Sequence, residues 1–200
     1  WLADEAEAAG VELVLGQRAD EALITGWDGP VILATGGIPT PPAYALGDPS
    51  MVLRPETVLA ATPAGLDALV PASVAVWDPI GNSVGFGVAE LLAAAGRRVT
   101  FVTPDPIAAT LLSLTGDLAG ANVRLQQAGV AIERRQKLRR VSAGRITVEH
   151  QFSNEVRELE AGAVIDCSHR WPDDDLWHRT GGRATRVGDA IAPRTVGDAI

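Results

Sequence analysis

Two periods of apolar residues run along the chain, and the change from one to the other near residue 130 divides it. Before that point, two short apolar runs, SVAVWD at 73–78 and RVTFVT at 98–103, flank a stretch whose apolar residues recur every three or four positions. Runs of that length between turn residues predict buried strands, and the spacing between them predicts a helix. The helix is expected over 83–95, ending at Gly96, so 73–103 reads as a β-α-β unit. A second helix is expected over 105–129, broken around 115–120. From Val130 to Val164 the period becomes two: VAIERR, KLRRVSA, GRITVEHQF, EVRELEAG and AVIDC predict four or five short strands. With turns at Ala143-Gly144 and Ser153-Asn154, these read as an antiparallel meander.

The two ends carry weaker patterns. Leu2, Ala6 and Ala9 are helically spaced up to Gly10, VELVLG at 11–16 predicts a short buried strand, and 18–24 a further strand or turn. WDGP then turns the chain into a strand at 31–34, followed by Gly36 and Gly37. PTPPAYALGDPS is too rich in Pro, Gly and Asp for regular structure and reads as a surface crossing, and Pro55 opens a short helix over 55–61. Near the C-terminus one short strand, 185–187, runs into Gly188-Asp189.

Composition narrows the function classes. The chain has 200 residues, 46% hydrophobic and 21% charged, with 21 glycines, which is ordinary globular material. A net charge of −8 disfavours nucleic acid, because no broad basic field exists to neutralise phosphates. The basic cluster Arg134, Arg135, Lys137, Arg139 and Arg140 alternates with apolar residues and reads as the solvent face of strands. Cys167 is the only cysteine, which excludes a disulfide or a cysteine-ligated metal or iron–sulfur site within this chain. No apolar run reaches the ~20 residues of a membrane span, and a soluble, reducing, cytoplasmic setting is expected. The run Asp173 to Asp175 reads as a solvated turn or helix cap. Tyr44 has Asp48, not lysine, four residues on, and no serine sits in a nucleophile-elbow setting. No residue stands out as acid, base or nucleophile.

Three segments in order say more than any one alone: VILATGG at 31–37, the β-α-β unit containing AELLAAAGRRVTFVT, and VIDCSHRWPDDDLW leading to VGDAIAPRT. Together with the meander they resemble the C-terminal part of the flavoenzymes similar to bacterial 2,4-dienoyl-CoA reductase and trimethylamine dehydrogenase. The resemblance implies an α/β fold: a Rossmann-like three-layer ββα nucleotide-binding domain, with a parallel sheet plus the antiparallel meander, and partial FAD-domain segments at both ends. It implies FAD-domain material at 1–70 and 167–200 and an NAD(P)-binding-like domain at 71–166. Thr35 and Gly36 would lie near FAD or ADP, and Gly188 and Asp189 near its pyrophosphate or ribityl region, with Ala192, Pro193, Arg194 and Thr195 following at the start of a helix. The chain is then expected to be a fragment of a flavin-dependent oxidoreductase of the NADH:flavin type, inactive alone. Its partners would be a missing N-terminal barrel, carrying FMN and a 4Fe–4S cluster, and the other FAD half-domain of the same polypeptide. The alternative is a non-catalytic ADP-binding or structural module.

The glycine pattern of the β-α-β unit leaves its ligand open. In G-x-G-x-x-G the first glycine makes the turn, the second admits pyrophosphate, and the third lets helix pack on strand. Anchored on Gly85, with Ala89 and Gly96 where the resembled flavoproteins usually place them, the first two positions fall on Ile80 and Asn82. Gly81, Asn82, Ser83 and Gly85 are the candidate phosphate-loop residues. Thr103 stands where an acidic residue usually meets the ribose, Asp105 follows two residues on, and Asp78 adds an unfavourable carboxylate. NAD(P)H binding, an ADP-only or vestigial pocket, and pure scaffold all remain consistent with this pattern.

Overall fold

The computed structural model describes residues 1–193, so Arg194 and Thr195 lie outside the described residues. The chain divides into two compact units, 1–38 with 170–200 (unit 1) and 39–169 (unit 2). In unit 1 the chain begins with α1 (Leu2–Ala8), α2 (Glu21–Thr25) and β1 (Ile32–Leu33), and β2 (Gly37–Pro39) runs to its boundary with unit 2. Unit 2 runs through β3 (Ala45–Leu46), β4 (Val52–Leu53), α3 (Pro55–Leu59), α4 (Pro63–Leu69), β5 (Ser73–Trp77), α5 (Ser83–Ala94) and β6 (Arg98–Val102). It continues with α6 (Leu118–Gln127), β7 (Ala131–Glu133), β8 (Gln136–Ser142), β9 (Arg145–His150), β10 (Val156–Glu160) and β11 (Ala163–Asp166). The chain re-enters unit 1 as β12 (Arg170–Pro172), α7 (Asp175–Arg179) and β13 (Thr185–Arg186).

Unit 2 is a three-layer Rossmann-like domain. Its middle layer is a parallel sheet in the order β4-β11-β5-β6-β7. The continuous apolar run of β5 hides a period of two: Val74 and Val76 face a core with Val88, Leu92 and Leu125 of the helices, while Ala75 and Trp77 face the other side. That other side packs on the second sheet, β10-β9-β8-β3, through Leu138, Val141, Ile146 and Val148. A bulge between Leu138 and Arg140 keeps Leu138 and Val141 on one face although they stand three residues apart. Each large side chain so buried contributes about 1.5–3 kcal/mol. The outward face of this sheet carries Lys137, Arg139 and Arg140 of the basic cluster, Arg139 pairing with Glu149 at 2.7 Å, while Arg134 and Arg135 form the turn before β8; Arg145 on β9 pairs with Glu158 at 3.0 Å.

The structure revises the expected meander. Only β8, β9 and β10 form it, because β7 and β11, its expected first and last strands, pair in parallel with β6 and β5. The stretch 40–50 is not merely a crossing: β3 adds to β8 and Tyr44 is buried. Segment 39–70 packs within unit 2, which begins at Pro39. The helix expected over 105–129 is a 3-10 turn at Thr110–Leu114 followed by α6. Helix α4 follows a cap the pattern reading passed over: Thr62 accepts from Gly65 N–H at 3.2 Å and Pro63 takes the first helical position.

In unit 1, Ile24, Leu33, Leu176 and Ala184 form a small core. Arg183 ties α2 down by donating to the Thr25 and Trp27 carbonyls, and Trp177 Nε1 donates to the Ala184 carbonyl at 2.8 Å. VELVLG is neither a strand nor buried; Leu13, Val14 and Leu15 are exposed. The expected strand or turn at 18–24 is instead α2, whose first turn is capped by Asp20 accepting from Leu23 N–H at 2.9 Å. Among the described residues no helix is long and apolar enough to cross a membrane.

Candidate functional site

The loop between β5 and α5 is the place where this fold presents backbone amides to a phosphate. Helix α5 starts at Ser83 because Asn82, extended at φ −90°, accepts from Val84 N–H at 2.9 Å. Gly81, at φ +77°, makes the turn before it. Between strand and helix lies Asp78, fully buried. Its Oδ1 accepts from Ile80 N–H at 3.1 Å and Gly81 N–H at 2.8 Å, and its Oδ2 has no partner among the described residues. Gly85 is what admits this carboxylate: a Cβ there would lie 2.7 Å from Asp78 Cγ and Oδ2. The glycine kept in the motif thus makes room for a side chain of the protein itself. Burial pushes the Asp78 carboxyl up to about 6, with the nearby Asp105 charge adding to the rise and the two amide hydrogen bonds opposing it.

The outer side of the loop is closed as well. Leu111 N–H donates to the Gly81 carbonyl at 2.7 Å, and Asp105 Oδ2 and Thr110 N stand 2.9 and 3.1 Å from where a Gly81 Cβ would be. Thr103, placed at the ribose position by sequence, is fully buried; its hydroxyl accepts from Asp105 N–H at 3.2 Å and its backbone bonds Glu133 and Gln136. It offers nothing to a ribose. Ser83 is exposed at the first turn of α5. A pyridine dinucleotide, the ligand that the fold suggests for unit 2, does not fit these residues: the turn amides of Ile80 and Gly81 are occupied by Asp78, and a second carboxyl group, Asp105, stands against the outer side of Gly81.

A second carboxylate, missed by motif reading, closes the neighbouring strand. Asp166, 3% exposed at the end of β11, accepts from the Tyr44 hydroxyl at 2.8 Å and from Ser168 N–H at 3.0 Å, with the Ser168 hydroxyl also donating to it. Burial and the Asp166 charge raise the Tyr44 phenol far above its usual value. The signal in sequence is a repeated one: the apolar runs VAVWD and AVIDC each carry an aspartate at the end of a central strand. Cys167, whose thiol is pushed up by burial and then by Asp78, lies beside them and is inert.

In unit 1, residues from opposite ends of the chain come together. β1 and β13 are parallel, with Leu33 opposite Arg186, and Val187 N–H extends the ladder to the Leu33 carbonyl at 3.0 Å. Thr35-Gly36 and Gly188-Asp189 therefore follow the C-terminal ends of adjacent parallel strands. Gly36 at φ +83° has open space where a Cβ would stand, and Gly188 at φ +58° opens the 3-10 turn that carries Asp189. The Thr35 hydroxyl is turned away, donating to the Asp173 carbonyl. Arg186 holds the other flank, lying 4.3 Å over Trp177 and pairing with Asp174 at 2.7 Å. Asp174 is thus engaged in an ion pair, and no metal-binding group of side chains occurs among the described residues.

No protein-family model matches the sequence, and no curated protein does. Solved structures match strongly. The chain folds like about a third of histamine dehydrogenase. That enzyme, from Rhizobium sp. 4-9, superposes with a TM-score of 0.81 over 92% of this chain and 31% of its own length, at 23% identity. 2-Naphthoyl-CoA reductase, in complex with 2-naphthoyl-CoA, gives a TM-score of 0.82 over 99% of this chain and 29% of its own, at 18% identity. The flavoprotein disulfide reductase RclA from Escherichia coli gives 0.63 over 85% of this chain and 42% of its own, at 14% identity. The chain spans less than half the length of each of these. At such identities the likeness establishes the fold, and it is the Rossmann-like nucleotide-binding fold that the sequence resemblance implied.

Proposed function

We propose that the chain is a portion of a flavin-dependent oxidoreductase, in which unit 1 contributes to a FAD or ADP site and unit 2 is a nucleotide-fold scaffold. The observation that carries this reading is the convergence of 31–37 and 185–190 as adjacent parallel strands ending in Thr35-Gly36 and Gly188-Asp189. Ligands of open parallel sheets bind at that end of the strands. These residues fit a dinucleotide: Gly36 and Gly188 let a ligand approach the backbone, and the Asp189 carboxylate can accept hydrogen bonds from sugar or ribityl hydroxyls. When bound, a flavin supplies the electron transfer; this chain's residues hold and orient it. Three solved structures with this fold, a dehydrogenase, a reductase and a flavoprotein reductase, support the same class. In this reading the electrons pass to a barrel-bound FMN, beside a 4Fe–4S cluster, elsewhere in a longer polypeptide. The filled loop at Asp78 favours the scaffold role for unit 2 over NAD(P)H binding.

The test is made on the longer polypeptide that the reading requires. It should carry flavin, measured by visible absorption and by flavin released on denaturation, and Asp189→Ala should lower its FAD or ADP content at least tenfold. A polypeptide without flavin that takes up neither FAD nor ADP overturns the proposal.

A further inference from the structure

We propose that the Asp78 side chain is a built-in substitute for a ligand phosphate: it fills the anion cradle at the start of α5 and closes unit 2 to dinucleotides. Three observations meet at one place. Oδ1 takes the Ile80 and Gly81 amides, which in an open loop would point at a ligand oxygen. The carboxylate reaches them only because Gly85 has no side chain; its Oδ2 lies 2.7 Å from where a Gly85 Cβ would be, fully buried and without a hydrogen-bond partner among the described residues. Asp105 and Thr110 then cover Gly81 from outside, and Leu111 N–H fixes its carbonyl. A carboxylate held by loop amides at a helix N-terminus is what a bound oxyanion would look like there, except that this one is covalently part of β5's continuation. The unpartnered Oδ2 fits this account: the cradle donates to one oxygen, and the second is buried against Gly85, where no donor reaches it.

Such an internal anion makes the cradle receptive to small oxyanions once the side chain is removed, and repels a second anion while it is present. The inference is independent of the flavin reading, since it concerns unit 2 alone. The experiment titrates the intact chain and its Asp78→Gly variant with NADH, NADPH, formate and inorganic phosphate, reading calorimetric heats and the melting temperature. Wild type is expected to bind neither NADH nor NADPH at millimolar concentration and to show no shift with formate. Asp78→Gly is expected to be stabilised by formate or inorganic phosphate, with an affinity at least tenfold tighter than that of wild type. If the glycine variant does not fold unaided, recovery of its native circular dichroism on adding formate is the same positive result, and failure to recover counts against the proposal. Saturable micromolar NADH or NADPH binding by wild type overturns it, as does a folded Asp78→Gly that responds to neither anion.

Discussion

Replacing Asp78 by asparagine should make the protein more stable at neutral pH and bring no such gain in acid. The carboxyl is fully buried, and burial outweighs the Ile80 and Gly81 amides, so it titrates at about 6 in the folded chain against 3.8 for an unperturbed aspartate. The other groups facing it are Asp105, which raises it further, and the neutral Cys167 thiol. A folded-state value above the unfolded one means the contribution to stability is fully present below about 3.8 and is lost as pH rises through 6. The difference corresponds to about 3 kcal/mol in total, of which roughly 2 kcal/mol falls between pH 4.5 and 7.5. Asparagine keeps an oxygen for the two amides and cannot ionise, so constant costs of the amide group cancel when two pH values are compared. Urea unfolding of both chains at pH 4.5 and 7.5 should therefore show the asparagine variant gaining about 2 kcal/mol on wild type between them. In thermal melts the same gain is roughly 4–8 °C. A difference that stays flat with pH, or moves the other way, would refute a buried carboxylate held at the cost of stability.

Other consequences follow from the same geometry. Gly85→Ala sets a Cβ 2.7 Å from the Asp78 carboxyl and should cost about 1–3 kcal/mol in denaturant melts, much of it recovered when combined with Asp78→Gly. A double-mutant cycle that is simply additive would mean the two residues do not compete for space. Tyr44→Phe removes the 2.8 Å hydrogen bond to the buried Asp166 and should destabilise by about 1.5–3 kcal/mol, with native near-ultraviolet dichroism retained below the melt. Phe101→Ala opens a cavity at a fully buried site between α5 and the sheet and should cost about 3–5 kcal/mol by the same assay.

Unit 2 was legible in sequence wherever apolar period and turn chemistry agreed. The runs at 73–78 and 98–103 and the Gly96 stop gave β5, α5 and β6 to within a residue or so, because each carries both a burial signal and a terminator. Strand partners were not legible. β7 and β11 share the period of their meander neighbours, and period fixes which face is buried, not whether the next strand pairs in parallel or antiparallel. β3, only two residues long, has its residues chosen by pairing with β8 rather than by any local preference. In unit 1, VELVLG has the composition of a strand but no neighbour among the described residues to pair with, so the apolar signal misled.

The candidate sites show why a motif can keep its form and lose its ligand. In the dinucleotide fingerprint one glycine serves packing between helix and strand, and the others serve the approach of phosphate. Loss of the packing glycine would expel α5 from the sheet, so a folded domain must keep it; the phosphate positions carry no such structural demand. Here Gly85 serves a third end, since the space above it holds the Asp78 carboxyl, and the domain's architecture no longer depends on a nucleotide to satisfy the loop. Sequence spacing could identify Gly85 and flag Asp78 as unfavourable. It could not tell that the two are in contact, because an aspartate at a strand end reads equally as a solvated cap or a ribose acceptor until its burial is known. The contact turns an apparent defect in a nucleotide site into a closed site with its own anion, and that is a difference a titration with NADH and formate can measure.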